Sequence, residues 1–169
     1  MSVTRCTARA NGSLFVGIGS PHGDDRLGWE VADRLSQNAD LRGEFSFRQA
    51  SIPTDLLDWL DGVACLHFCD ACRTSSPPGA LHRWEWDRSH LTPQDRTLPA
   101  FSAGLRSAGT HAWGLMDVLS LANELARLPE RVTIWGIEGL RFEPGQPMSP
   151  ETIERLPGIV DTITESLTR

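Results

Sequence analysis

Short apolar runs alternate along this chain with stretches whose apolar residues recur every three or four positions. "SLFVGIG" (13–19) is continuously apolar and ends at glycine, the pattern of a strand buried on both faces and closed by a tight turn. "DDRLGWEVADRLSQ" then spaces Leu27, Val31, Ala32 and Leu35 as one face of a helix starting near Asp24 or Asp25. "EFSFRQA" alternates and predicts a second strand. "PTDLLDWLDG" predicts a short helix, capped by Thr54 or Asp55 and ended by Gly62. "VACLHFCD" (63–70) predicts a third strand ending at an acid, and "ALHRWEW" a fourth after the turn "SSPPG".

Residues 87–110 are rich in Pro, Ser, Thr and Gly and predict a long loop. "THAWGLMDVLSLANELARL" predicts a helix capped by Thr110 and stopped by Pro129, with Leu115, Val118, Leu119 and Ala122 inward. "RVTIWGIEG" predicts a fifth strand. "SPETIERLPGIVDTITESLTR" predicts a closing helix with Ser149 as N-cap, Pro150 in its first turn and a bend or break at Pro157. Strands alternating with helices predict an α/β sandwich with a largely parallel sheet. The 169 residues fit a single domain, 1–169, with a loose N-terminal tail over 1–12.

Composition narrows the function classes. The net charge of −6 argues against a nucleic-acid partner, which calls for a basic stripe. No apolar run approaches the roughly 18–20 residues that span a bilayer, and the first residues lack the apolar centre of a secretory signal. No membrane association and a cytoplasmic location are expected. All sixteen basic residues are Arg, and there is no Lys or Tyr. That excludes a lysine nucleophile, a Schiff base and a tyrosine acid.

The glycines of "GIGSPHGDDRLG" resemble a dinucleotide turn but do not complete it. G-x-G-x-x-G requires a glycine where His22 stands, and Asp24 and Asp25 would repel a pyrophosphate. In a parallel sheet, ligands bind beyond the carboxyl ends of the strands. Asp25 follows the first strand, Asp70 ends the third and His111 precedes a helix. With the first and third strands adjacent, Asp25 and Asp70 would share one edge. Two carboxylates and an imidazole suit a divalent transition metal or acid–base catalysis. Each also has a structural reading: Asp25 as a helix cap, Asp70 as a turn former, His111 as a helix-start residue. His22 is a possible extra ligand.

Of the four cysteines, Cys65, Cys69 and Cys72 fall in "CLHFCDAC". "CDAC" could be half of a zinc site, although His82 and His90 lie too far apart in sequence to form the usual second half. Along a strand, Cys65, His67 and Cys69 would share a face. They are either a metal or redox cluster or small core residues.

Four segments taken in order resemble the [NiFe]-hydrogenase maturation endopeptidases. "GIGSPHGDDRLG" resembles their N-terminal motif, G-x-G-N followed by a short loop, two acids and G-x-G. "CLHFCDA" resembles their strand ending in Asp-Ala. "SAGTHAWGLMDVLSLA" resembles their His before a helix, and "VTIWGIEG" with "FEPGQPMSPETIERLPGIV" their C-terminal strand, loop and helix. The resemblance covers residues 14–167. It implies a three-layer α/β fold of phosphorylase/hydrolase type, with a twisted, mostly parallel five-stranded sheet between helices. It implies an endopeptidase that removes a short C-terminal extension from the hydrogenase large-subunit precursor after nickel insertion. The family's metal-binding and catalytic positions fall on Asp25, Asp70 and His111. The nickel would be carried by the substrate, no permanent cofactor is expected, and the enzyme is expected to act as a monomer. Nickel would serve either as a Lewis acid or as a recognition element beside a carboxylate base.

The sequence departs from the family pattern at Ser20, at Arg26, in a loop one residue short before Asp24, and at "QASIPT" in place of a Gly-Gly-Thr stretch that shapes the cleft. That altered cleft leaves a second reading, a non-catalytic nickel-sensing chaperone of the large subunit. A zinc or redox protein centred on Cys65, Cys69 and Cys72 is the third.

Overall fold

The computed structural model describes residues 12–87 and 114–169. The expected tail before Gly12, the loop after Asp87, Thr110 and the candidate ligand His111 lie outside the described residues; the helix beginning at Leu115 has Gly114, not Thr110, as its N-cap. Five strands form one sheet in the order β2-β1-β3-β5-β4. They are β1 (Ser13–Ile18), β2 (Phe45–Ala50), β3 (Cys65–Cys72), β4 (Leu81–Asp87) and β5 (Arg131–Glu138). β1 runs parallel to β2 and β3, β3 runs parallel to β5, and β4 alone is antiparallel. The mostly parallel five-stranded sheet expected above is therefore present, and its first and third strands are neighbours.

The continuous apolar runs exist because the sheet is covered twice. On one face Leu14, Val16, Ile18, Leu66, Phe68, Val132 and Ile134 pack beneath α2 (Leu115–Glu124) and the 3-10 helix Pro53–Asp58. On the other, Phe15, Cys69, Ala71, Trp135 and Ile137 pack beneath α1 (Leu27–Ser36) and α3 (Pro150–Thr168). Leu27, Val31 and Leu35 of α1 are fully buried, as their spacing predicts. Each such side chain contributes about 1.5–3 kcal/mol of burial.

Four boundaries differ from the sequence reading. β3 begins at Cys65 and continues past Asp70, because Ala71 and Cys72 still pair with Ile137 and Glu138. Asp70 thus sits within the strand opposite Gly136, which carries no side chain. The helix near residue 54 is a single 3-10 segment whose Asp55 carboxylate accepts the N–H groups of Ser51 and Ile52. α2 ends at Glu124, well before Pro129, where Ala126 turns the backbone left-handed (φ 55°) and the N–H of Arg127 returns to the carbonyl of Ala122. α3 runs unbroken through Pro157. The proline ring lies on the exposed side, and Leu156, Ile159 and Ile163 keep the apolar stripe docked on both sides of it.

Candidate functional site

The glycines of the first loop serve close packing. A Cβ on Gly17 would strike the carbonyl of Gly28, and one on Gly28 would strike the carbonyls of Ile18 and Cys69. α1 therefore lies directly across the carboxyl ends of β1 and β3. A Cβ on Gly19 would meet the carbonyl of Asp25, which accepts the N–H of Ser20 at 3.3 Å. Residues 19–26 are folded tightly against the sheet end in consequence, with a 3-10 turn at Gly23–Arg26 leading into α1.

The two adjacent aspartates of this turn have different fates. Asp24 is fully buried. Its carboxylate accepts the N–H groups of Leu140 (2.7 Å), Arg141 (3.0 Å) and Ser149 (2.7 Å) and the hydroxyls of Ser149 (2.8 Å) and Thr152 (2.8 Å). Burial by itself would raise this carboxyl. The backbone donors of Arg141, Ser149 and Leu140, with the Thr152 hydroxyl, outweigh it and hold the group below its ordinary value. Ser149 occupies the N-cap position of α3, but its hydroxyl serves Asp24 and makes no cap bond. Sequence offers Asp24 as a helix start and as an acid hostile to a pyrophosphate, not as a buried anchor; the polar pair Ser149 and Thr152 bracketing a helix start is the one available signal of an incoming carboxylate.

Asp25 is half-buried, and its N–H takes the carbonyl of His22 at 3.2 Å. It stands close enough to Asp70 for its charge to act there. Asp70 is pushed well above the usual carboxylate range, first by burial and then by the negative charge of Asp25, against a smaller lowering from the N–H of Ala71. The fold thus brings Asp25 and Asp70 together. Two neighbouring carboxyls can act as an acid–base pair or bind a divalent cation. His22 joins the same loop to residue 145: its Nδ1 accepts the N–H of Gly145 at 3.3 Å.

The C-x-x-C half-site does not form. Residues three apart in a strand face opposite ways, so buried Cys69 joins the core beneath α1 and α3, while Cys72 lies on the other face with Asp70. Cys65, His67 and Cys69 do share a face, and it is a packing face. The His67 ring stacks on Phe15 (6.5 Å between centroids) and meets Phe45 edge-on at 5.7 Å. Burial, with the nearby charge of Arg83, lowers the His67 pKa to about 4. The Cys69 thiol is pushed up by burial and by the charges of Asp70 and Cys72.

Cys72 instead meets residues that sequence reasoning did not connect. Its Sγ lies 3.8 Å from Oε2 of Glu138, which lies 3.8 Å from Nε2 of His82. Glu138 is buried and accepts the N–H of Thr74 at 2.6 Å and the Thr74 hydroxyl at 2.7 Å. Burial, then the charges of Glu138 and Asp70, push the Cys72 thiol up to about 12. An acid closing an apolar strand in "WGIEG" was the same signal that marked Asp70.

The mostly parallel sheet and its flanking helices match the fold of solved hydrogenase maturation proteases. The hydrogenase maturating endopeptidase HybD from E. coli is similar with a TM-score of 0.71 and 20% identity, over 92% of this chain and 91% of that one. A hydrogenase 2 maturation peptidase from a Thaumarchaeota archaeon is similar at 0.65 and 26% identity, covering 92% and 97%. The [NiFe] hydrogenase maturation protease HycI from Thermococcus kodakarensis gives 0.65 and 18%, covering 94% of both chains. No protein-family model and no curated protein sequence matches the chain.

Proposed function

We propose that this protein is an endopeptidase that removes a short C-terminal extension from a [NiFe]-hydrogenase large-subunit precursor once nickel is in place. The observation that carries this reading is the Asp25–Asp70 pair at the carboxyl ends of β1 and β3, on a fold shared along nine-tenths of the chain with proteins named as maturation endopeptidases. The substrate supplies the nickel. Asp25 and Asp70, joined by His111, take up its open coordination positions and anchor the precursor. Burial and the charge of Asp25 raise the Asp70 carboxyl; a divalent cation held by the two carboxyls would favour its ionised form. A nickel-free precursor lacks the anchor and is left uncut. The reaction takes place in the cytoplasm, with the enzyme as a monomer of aspartic type.

The test is a processing assay. The protein is incubated with the large-subunit precursor of its own genome, with and without nickel, and the mass of the precursor's C-terminus is followed. Nickel-dependent loss of a short peptide, abolished in Asp25→Asn, Asp70→Asn and His111→Ala, supports the reading. Tight nickel-dependent binding without cleavage would replace it with the chaperone reading.

A further inference from the structure

We propose that Cys72, His82 and Glu138 form a second site, which binds a resident divalent transition-metal ion of the zinc type. The three residues come from three adjacent strands. β3 and β5 pair Cys72 with Glu138, and β4 and β5 pair His82 with Gly136, two positions earlier on β5. Alternation along each strand turns all three toward one face at the carboxyl end of β3 and β5. Their ligand atoms lie within 4.8 Å of one another, the one such group of three among the described residues.

Two features separate this group from an ordinary polar cluster. The first is the imidazole. His82 Nε2 is buried and has no hydrogen-bond partner, although Glu138 Oε2 stands 3.8 Å away. A buried polar atom left unpaired costs about 1–3 kcal/mol, and an ion between the two groups removes that cost. The second is the orientation of Glu138. The Thr74 N–H holds Oε1 and the Thr74 hydroxyl holds Oε2, so the carboxylate is fixed before any ion arrives.

The donor set is one sulfur, one imidazole nitrogen and one carboxylate oxygen, a borderline-soft combination that suits Zn²⁺ over Mg²⁺ or Ca²⁺. Bonds of about 2.3 Å to sulfur and about 2.0–2.2 Å to nitrogen and oxygen require the two 3.8 Å separations to Glu138 to contract slightly and Cys72 and His82, within 4.8 Å of each other, to close on the ion. Three protein ligands leave the fourth tetrahedral position open, as in catalytic zinc sites. Cys72 follows Asp70 by two residues on the same face of β3, so the proposed site neighbours the carboxylate pair. The resemblance implies no permanent metal; this ion would be one, and it would be distinct from the nickel carried by the substrate.

The test is titration of the chelator-treated, reduced full-length protein with Co²⁺, followed by displacement with Zn²⁺. The expected result is one equivalent of Co²⁺ with an intense near-ultraviolet thiolate-to-cobalt band. The band should disappear in Cys72→Ser and persist in Cys69→Ser and Asp70→Asn. His82→Ala should weaken binding by about 10-fold or more. This variant alters a partly exposed side chain, so it remains informative if Cys72→Ser fails to fold. Absence of a thiolate band in the wild-type protein, or unchanged affinity in His82→Ala, would overturn the proposal. So would loss of the ion in Asp70→Asn with retention in Cys72→Ser, which would place it in the carboxylate pair. None of these readouts depends on peptidase activity.

Discussion

Asp25 and Asp70 are delivered by different elements, and the charge of Asp25 adds to burial in raising the Asp70 carboxyl. A carboxyl whose pKa is raised on folding binds its proton more tightly in the native state. Its contribution to stability is therefore lost as pH rises from the unfolded value, near 3.8, through the higher folded one. Asp70→Asn removes that penalty. Thermal denaturation across pH should find the variant at least as stable as the wild type at pH 7, with the difference closing near pH 4. If Asp25 is replaced by Asn, the Asp70 carboxyl should titrate lower, which carbon-detected NMR of its side chain can follow.

The same Asp70→Asn variant separates chemistry from folding. Processing of a nickel-loaded precursor should fall by at least about 100-fold, the scale of losing a positioned acid–base group. Full stability with lost cleavage is the expected pairing. Cleavage at the wild-type rate would remove Asp70 from the mechanism.

Asp24 should behave oppositely. Five donors converge on its buried carboxylate, so Asp24→Ala should cost about 2–4 kcal/mol in chemical denaturation at pH 7. Because its carboxyl is lowered on folding, this contribution is present above the unfolded value of about 3.8 and disappears as pH falls through the folded one. The gap between variant and wild type should narrow in acid, whereas the Asp70→Asn gap reaches its full size only at higher pH.

His67 supplies an acid-labile term of its own. Its pKa falls from 6.5 to about 4 on folding. The unfolded chain therefore takes up the proton first, and stability declines as pH drops from about 6.5 to about 4. The integrated loss is roughly 3 kcal/mol by pH 4. His67→Phe should flatten the pH profile of the denaturation midpoint over that window.

Gly28→Ala tests the seat of α1. The added methyl would meet the carbonyls of Ile18 and Cys69, and backbone cannot yield as a flexible side chain does. A loss of about 1–3 kcal/mol from overpacking, accompanied by weaker processing, is expected from urea unfolding and the precursor assay together.

The fold is legible because β1, β3 and β5 are near-continuous apolar runs, β2 and β4 alternate, and Leu27, Val31 and Leu35 fall at helical spacing. The end of β3 is not legible, because an acid after an apolar run reads as a strand stop whereas the pairing continues to Cys72. Asp70 lies inside the ladder, opposite Gly136. The pairing of Asp25 with Asp70 could be reached from sequence once β1 and β3 were taken as neighbours. The role of Asp24 could not, since its donors lie more than 115 positions away. Nor could the meeting of Cys72, His82 and Glu138, which follows from the register of three strands and leaves no local spacing to read.

The reach of Asp24 also bears on how the molecule is made. Its contact with Ser149 spans 125 residues, and β5, through which β3 and β4 join, is itself built from residues 131–138. A chain emerging from the ribosome can form the β1–α1 unit early, but the turn that carries Asp25 is fastened only when the last helix arrives. Long-range closure of this kind comes late in folding. The turn that holds Asp25 is therefore fastened only once Ser149 and Thr152 have been made, and a chain cut before Ser149 lacks that fastening.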